Sequence, residues 1–119
     1  MNGEELFWDL AEDLYHDLAV SRSTMMGYPC LRYEGRFFAS IERETQALIV
    51  KLPRQRVQQL IEIGDGEPFA PAGRVFREWA AIPHPRREQW AALLAEAKRF
   101  AAGTEGNSGG DGSSLVGEA

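Results

Sequence analysis

Residues 29–53 read PCLRYEGRFFASIERETQALIVKLP, and the fold class turns on them. "PCLRY" has strand composition, "EG" is a two-residue turn, and "RFFASIE" is a second strand. "RETQ" then forms a loop before a third strand, "ALIVKL". Short connections of this kind make the strands antiparallel, so the stretch reads as a β-meander. Pro53 ends it, because proline cannot donate to a ladder and suits the first turn of a helix.

Counting outward from the Glu34–Gly35 turn pairs Tyr33 with Arg36, Leu31 with Phe38 and Cys30 with Ala39. Across the second loop, Glu42 faces Ala47, Ile41 faces Leu48, Ala39 faces Val50 and Phe37 faces Leu52. In this register one side carries Cys30, Phe37, Ala39, Ile41, Leu48, Val50 and Leu52, with Arg32 near the turn its only charge apart from the ends, which makes it the expected core face. The other side carries Leu31, Tyr33, Arg36, Phe38, Ser40, Ile49 and Lys51. A one-residue bulge would exchange the two sets.

Helical patterns flank the meander. Residues 3–19 place Leu6, Phe7, Leu10, Ala11, Leu14 and Leu18 at three- and four-residue steps, behind an Asn2/Glu5 capping pair. "PRQRVQQLIEI", ending at Gly64, predicts a second helix with Val57, Leu60 and Ile61 inward. "GDGEPFAPAG" is irregular with a short strand near Phe69, "VFREWAAIP" reads as a strand, and a last helix runs from about Pro85 to Ala102 past Trp90. The order α-β-β-β-α-(β)-β-α predicts an α+β, two-layer domain over 1–102. Residues 103–119 hold six of the twelve glycines and three serines, and predict a disordered tail.

Charge is divided along the chain. Residues 1–19 carry six acids and no Lys or Arg, and the last seventeen carry three acids and no base. The middle is therefore about +4 within a chain of net charge −5. An acidic total argues against strong nonspecific nucleic-acid binding, whereas a basic middle leaves a local patch available. No run of about eighteen uncharged apolar residues occurs, and the acidic N-terminus is unlike an export signal, so the expected setting is the cytoplasm and not a membrane.

The single cysteine excludes an intrachain disulfide and a thiolate-rich zinc site. Cys30 opposite Ala39 reads as a buried small hydrophobe, and neither His16 nor His84 is placed to activate it. Met25 and Met26 read as filling for an irregular corner of the core. "GDGEPF" lacks the third glycine of a dinucleotide fingerprint and follows a helix. There is no phosphate loop and no Cys/His cluster, so no catalytic residue, metal or cofactor is expected.

Several motifs in order resemble the N-terminal domain of the TfoX (Sxy) family. They are "STMMGYPCLRYEGRFFASIERETQALIVKLP", then "EPFAPAG", "REWAAIP" and a helix with Trp90, spanning nearly all of 1–102. The resemblance implies the compact α+β fold associated also with YjbR-like proteins. It implies a link to regulators of competence for DNA uptake that act with transcriptional machinery. It supplies no catalytic residue. Those regulators carry a second, helical domain, where this sequence has its Gly/Ser segment.

Three functions are open to the sequence. The preferred one is a nonenzymatic, regulatory protein-interaction module, self-associating or binding another protein through Tyr33, Arg36, Phe38, Ile49 and Lys51. The second is a nucleic-acid-binding module using Arg32, Arg36, Lys51, Arg54, Arg56, Arg74 and Arg77, with Tyr33 or Phe38 stacking on bases. The third is an enzyme or small-ligand binder built on Cys30 or the "GDGEPFAPAG" loop.

Overall fold

Asn2 starts the first helix. Its side chain accepts from the Glu5 N–H at 2.8 Å, while the Glu5 carboxylate accepts from the Asn2 N–H at 3.0 Å, closing the expected capping box. The computed structural model describes residues 1–25 and 27–103; Met26 and nearly all of the expected tail (104–119) lie outside the described residues. Helix α1 (Gly3–Leu14) is followed by strands β1 (Val20–Met25), β2 (Tyr28–Tyr33), β3 (Arg36–Glu42) and β4 (Ala47–Lys51). Then come helix α2 (Arg54–Glu62), strands β5 (Glu67–Phe69) and β6 (Phe76–Ile82), and helix α3 (Arg87–Ala102).

The α+β class and the central meander hold, in one six-stranded sheet of order β1-β2-β3-β4-β6-β5 whose neighbours are all antiparallel. One strand was not foreseen. The first helix stops at Leu14 instead of running to residue 19, and the chain turns to enter β1. The Asp17 carboxylate accepts from the Ala19 N–H at 3.0 Å and fixes that turn, leaving Leu18 97% exposed. With Val20 alone of its described side chains buried in the core, "VSRSTM" has no alternation to betray a strand.

All three helices lie on one face of the sheet. A single core joins Leu6, Phe7 and Leu10 of α1, Val57 and Leu60 of α2, and Trp90, Leu93, Leu94 and Ala97 of α3 to the sheet. The strands meet them with Leu31, Phe38, Ala39, Ile41, Leu48, Val50, Ala80 and Ile82. A second, smaller cluster (Ala47, Ile49, Trp79 and Ala81, with Phe37, Phe69 and Phe76 packed against it) contains no helix residue and occupies the opposite face.

The expected register is corrected at one point. Tyr33 pairs with Arg36 and Arg32 with Phe37, but Leu31 then pairs with Ala39 and Cys30 with Ser40. Phe38 is left opposite no residue, as in a β-bulge. The turn fixes the pairing at one end of the hairpin: Glu34 and Gly35 both adopt positive φ (48° and 85°), the geometry of a two-residue hairpin turn. At the other end, Ala39 and Ile41 must face the helices. The bulge reconciles the two and turns Phe38 inward as well, where it is fully buried. Burying a phenylalanine side chain contributes about 1.5–3 kcal/mol, enough to outweigh one interrupted ladder bond at about 1 kcal/mol. Leu31 and Phe38, expected on the mixed side, therefore belong to the core. Cys30, Arg32 and Phe37, expected on the core side, lie on the helix-free side.

Candidate functional site: the helix-free face of the sheet

A sheet covered on one side by helices leaves its other side to its own side chains. Here that side presents a row of Ser23, Cys30, Ser40, Ile49, Ala81 and Glu67, read across the strands from pair to pair. Beside that row lie Arg32 with Phe37 and Lys51 with Trp79. Phe69 and Phe76 continue the aromatic cluster at the far edge, with ring centroids 6.0 Å apart, and Phe69 lies 6.4 Å from Trp79.

Three of these aromatic groups have a cation against them. The Arg32 guanidinium lies over Phe37 at 4.3 Å, the Arg74 guanidinium 5.2 Å from Phe76, and the Lys51 ammonium 5.7 Å from Trp79. Lys51 is buried and also lies 3.8 Å from the Glu78 carboxylate. Arg32 is different. No carboxylate among the described residues pairs with it, and its Nε is buried without a hydrogen-bond partner among them. On the helix side, by contrast, cations of the domain meet acids: Arg43 with Glu4, Arg56 with Glu96, Arg87 with Asp9, and Lys98 with Asp17. The acidity of α1 is thus partly neutralised within its own layer.

The residues singled out from the sequence are divided by this geometry. Ile49, Lys51 and Arg32 share the helix-free face, where Ile49 and Lys51 are buried, and Arg74 joins them at its edge. Phe38 does not; it is core. Tyr33 is half-buried against the same core. Arg36 is exposed at the hairpin end, 3.6 Å from Glu34. Arg54 opens α2 and Arg56 is tied to Glu96 at 2.9 Å, so both sit in the helix layer, away from Arg32. Arg77 is exposed on β6. A single nucleic-acid patch containing all the proposed arginines is therefore not formed.

Sequence reasoning missed Phe37, Trp79, Phe69 and Phe76. Alternation in "WAAI" does separate Trp79 and Ala81 from Ala80 and Ile82. What the alternation lacks is the neighbour: β6 docks beside β4, and only that pairing places Trp79 next to Lys51.

Cys30 sits in this face fully buried. Burial pushes its thiol pKa up, against the opposing pull of Arg32 and the Ser23 hydroxyl, so at neutral pH it stays protonated and a poor nucleophile. His16, just past the end of α1, is turned back to that helix, with Nδ1 donating to the Asp13 carbonyl at 3.1 Å. Among the described residues, no three His, Cys, Asp or Glu side chains are grouped to hold a metal ion, and no helix is long and apolar enough to cross a membrane. No protein-family model, curated protein or solved structure matches the chain.

Proposed function

We propose that this chain is a nonenzymatic, regulatory protein-interaction module of the TfoX N-terminal kind, whose helix-free sheet face binds an acidic segment of a partner protein. The observation that carries the reading is Arg32: a guanidinium on an aromatic face, with a buried Nε donor that no described residue satisfies. With no carboxylate of the described residues beside it, the Arg32 guanidinium keeps its charge for a carboxylate of a partner, and a charge-assisted pair is stronger than a neutral hydrogen bond. Phe37, Phe69 and Phe76, partly exposed around the buried Trp79, supply apolar contact area beside it. The resemblance of the motifs in 23–53 to the competence-regulator family supports the regulatory part of the reading, and the cytoplasm is its proposed setting.

A single-stranded nucleic acid is the second reading. The pairs Arg32–Phe37 and Arg74–Phe76 favour it, because cation-plus-aromatic platforms stack bases and bind phosphate together.

Amide chemical-shift mapping separates the two. A Glu-rich peptide and an oligothymidine are titrated in turn at ~50 mM salt. The proposal expects the peptide to shift Arg32, Phe37, Ile49 and Trp79, and Arg32→Gln to remove the shifts. Shifts from oligothymidine alone transfer the face to the second reading. A response confined to the helix layer, or none to either probe, defeats both.

A further inference from the structure

The two edges of the sheet are unlike. At one end β5 is three residues long, contains Pro68 and has a register shift after it, all features that blunt an edge against further pairing. At the other end β1 is six residues long, pairs with β2 in unbroken register, contains no proline and carries one charge, Arg22. That is an open template for another strand.

Which backbone groups it offers follows from one bond. The Glu34 N–H donates to the Ala19 carbonyl at 2.8 Å, so Ala19 points toward β2. Alternation in an antiparallel ladder then directs Ser21 and Ser23 toward β2 as well. Arg22 and Thr24 direct their N–H and C=O groups outward, and none of the described residues bonds to them. The Val20 N–H also points outward, but the Asp17 carbonyl takes it at 2.9 Å.

We infer that two copies of this chain pair antiparallel through β1, about a two-fold axis at Ser23. In this register Arg22 of each copy exchanges both backbone bonds with Thr24 of the other, which satisfies all four outward groups of those residues on each chain. Ser23 faces Ser23, two small side chains at the axis. The register centred one residue earlier sets Arg22 directly against Arg22, and like charges directly opposite are destabilising. It also wastes the Val20 N–H, already bonded to Asp17. Both registers keep Ser21 and Ser23 on the helix-free face, so the chosen one joins two six-stranded sheets with their helices on the same side. Since β5 is blunted, the pairing closes as a dimer and does not propagate into a filament.

The inference is independent of the ligand of the helix-free face. Light scattering on the full chain at millimolar concentration is expected to give twice the chain mass, and Thr24→Pro to give the chain mass. Proline there removes an outward N–H that the fold itself does not use, so an unchanged circular dichroism spectrum is expected. Register is read by crosslinking in a Cys30→Ala background. Ser23 pairs at a non-hydrogen-bonded site, where Cα atoms lie about 4.5 Å apart, within disulfide reach. Ser23→Cys should therefore form a disulfide dimer with diamide at least about tenfold faster than Ser21→Cys, which faces Met25 of the second copy. A wild-type chain that is monomeric at millimolar concentration overturns the inference. So does a dimer that survives Thr24→Pro, or equal crosslinking at positions 21 and 23.

Discussion

The Arg32 guanidinium rests over the ring of Phe37, 4.3 Å from its centroid, because a bulge turns Phe38 to the opposite face. Two adjacent phenylalanines thereby serve different parts of the molecule: Phe38 is fully buried with the helices, and Phe37 is half-buried on the helix-free side.

That division predicts unequal costs. Phe38→Ala should destabilise the domain by about 3–5 kcal/mol, the range for truncating a buried aromatic. Phe37→Ala should cost about 1 kcal/mol, mainly lost area and one cation–π contact. Urea unfolding of both variants is the check; equal losses would contradict the bulge.

Gly3 tests the junction between α1 and the β3–β4 loop. A methyl group added there would run into the Gln46 carbonyl oxygen, with the Gln46 Cβ close behind. The same loop is tied to the helix by the Glu4 N–H donating to the Gln46 side chain at 2.8 Å. Gly3→Ala is expected to cost about 1–3 kcal/mol despite the better helix propensity of alanine, since the obstruction is backbone. A stabilised Gly3→Ala variant in thermal unfolding would show that the junction yields.

Two carboxylates set the acid limb of stability. The Ala19 N–H, and after it Lys98, hold the Asp17 pKa below its ordinary value; the Tyr28 hydroxyl does the same for Glu44. In the unfolded chain both groups regain ordinary values of about 4, so between pH ~5 and ~2 the unfolded state binds more protons. Their contribution is present above that window and is lost as pH falls through it. Glu44 is exposed and Asp17 only half-buried, so the effect is modest. Asp17→Asn should flatten the decline of the urea midpoint on acidification, and an unchanged slope would remove Asp17 from the account.

Cys30 should react slowly. It is fully buried, and its thiol pKa is raised chiefly by desolvation. Labelling with a thiol-specific disulfide reagent at neutral pH is expected to run roughly a hundredfold or more below the rate in urea, because the reagent waits for an opening of the sheet. Labelling at the unfolded rate would reopen the case for a reactive thiol.

Much of this was legible in the residues themselves. The capping pair Asn2/Glu5 marks a helix start by local hydrogen bonding alone. The Glu34–Gly35 turn and the runs on either side of it mark the hairpin, because turn chemistry and period-2 patterning are local properties. β1 escaped for the opposite reason. An edge strand with Val20 alone of its described side chains in the core carries almost no periodic signal, and its identity comes from β2 beside it.

The sequence by itself determined the antiparallel meander, the helices that flank it and the α+β class, since each depends on neighbours a few residues apart, while β1 was left unread. Only the tertiary structure decided which face of the hairpin is core. A bulge of one residue at Phe38 reverses every assignment on β2, and what selects it is the burial of Leu31, Phe38 and Ala39 together against α1 and α3. The candidate face depends on the same long-range choice, because Trp79 of β6 meets Lys51 of β4 across 28 positions of chain.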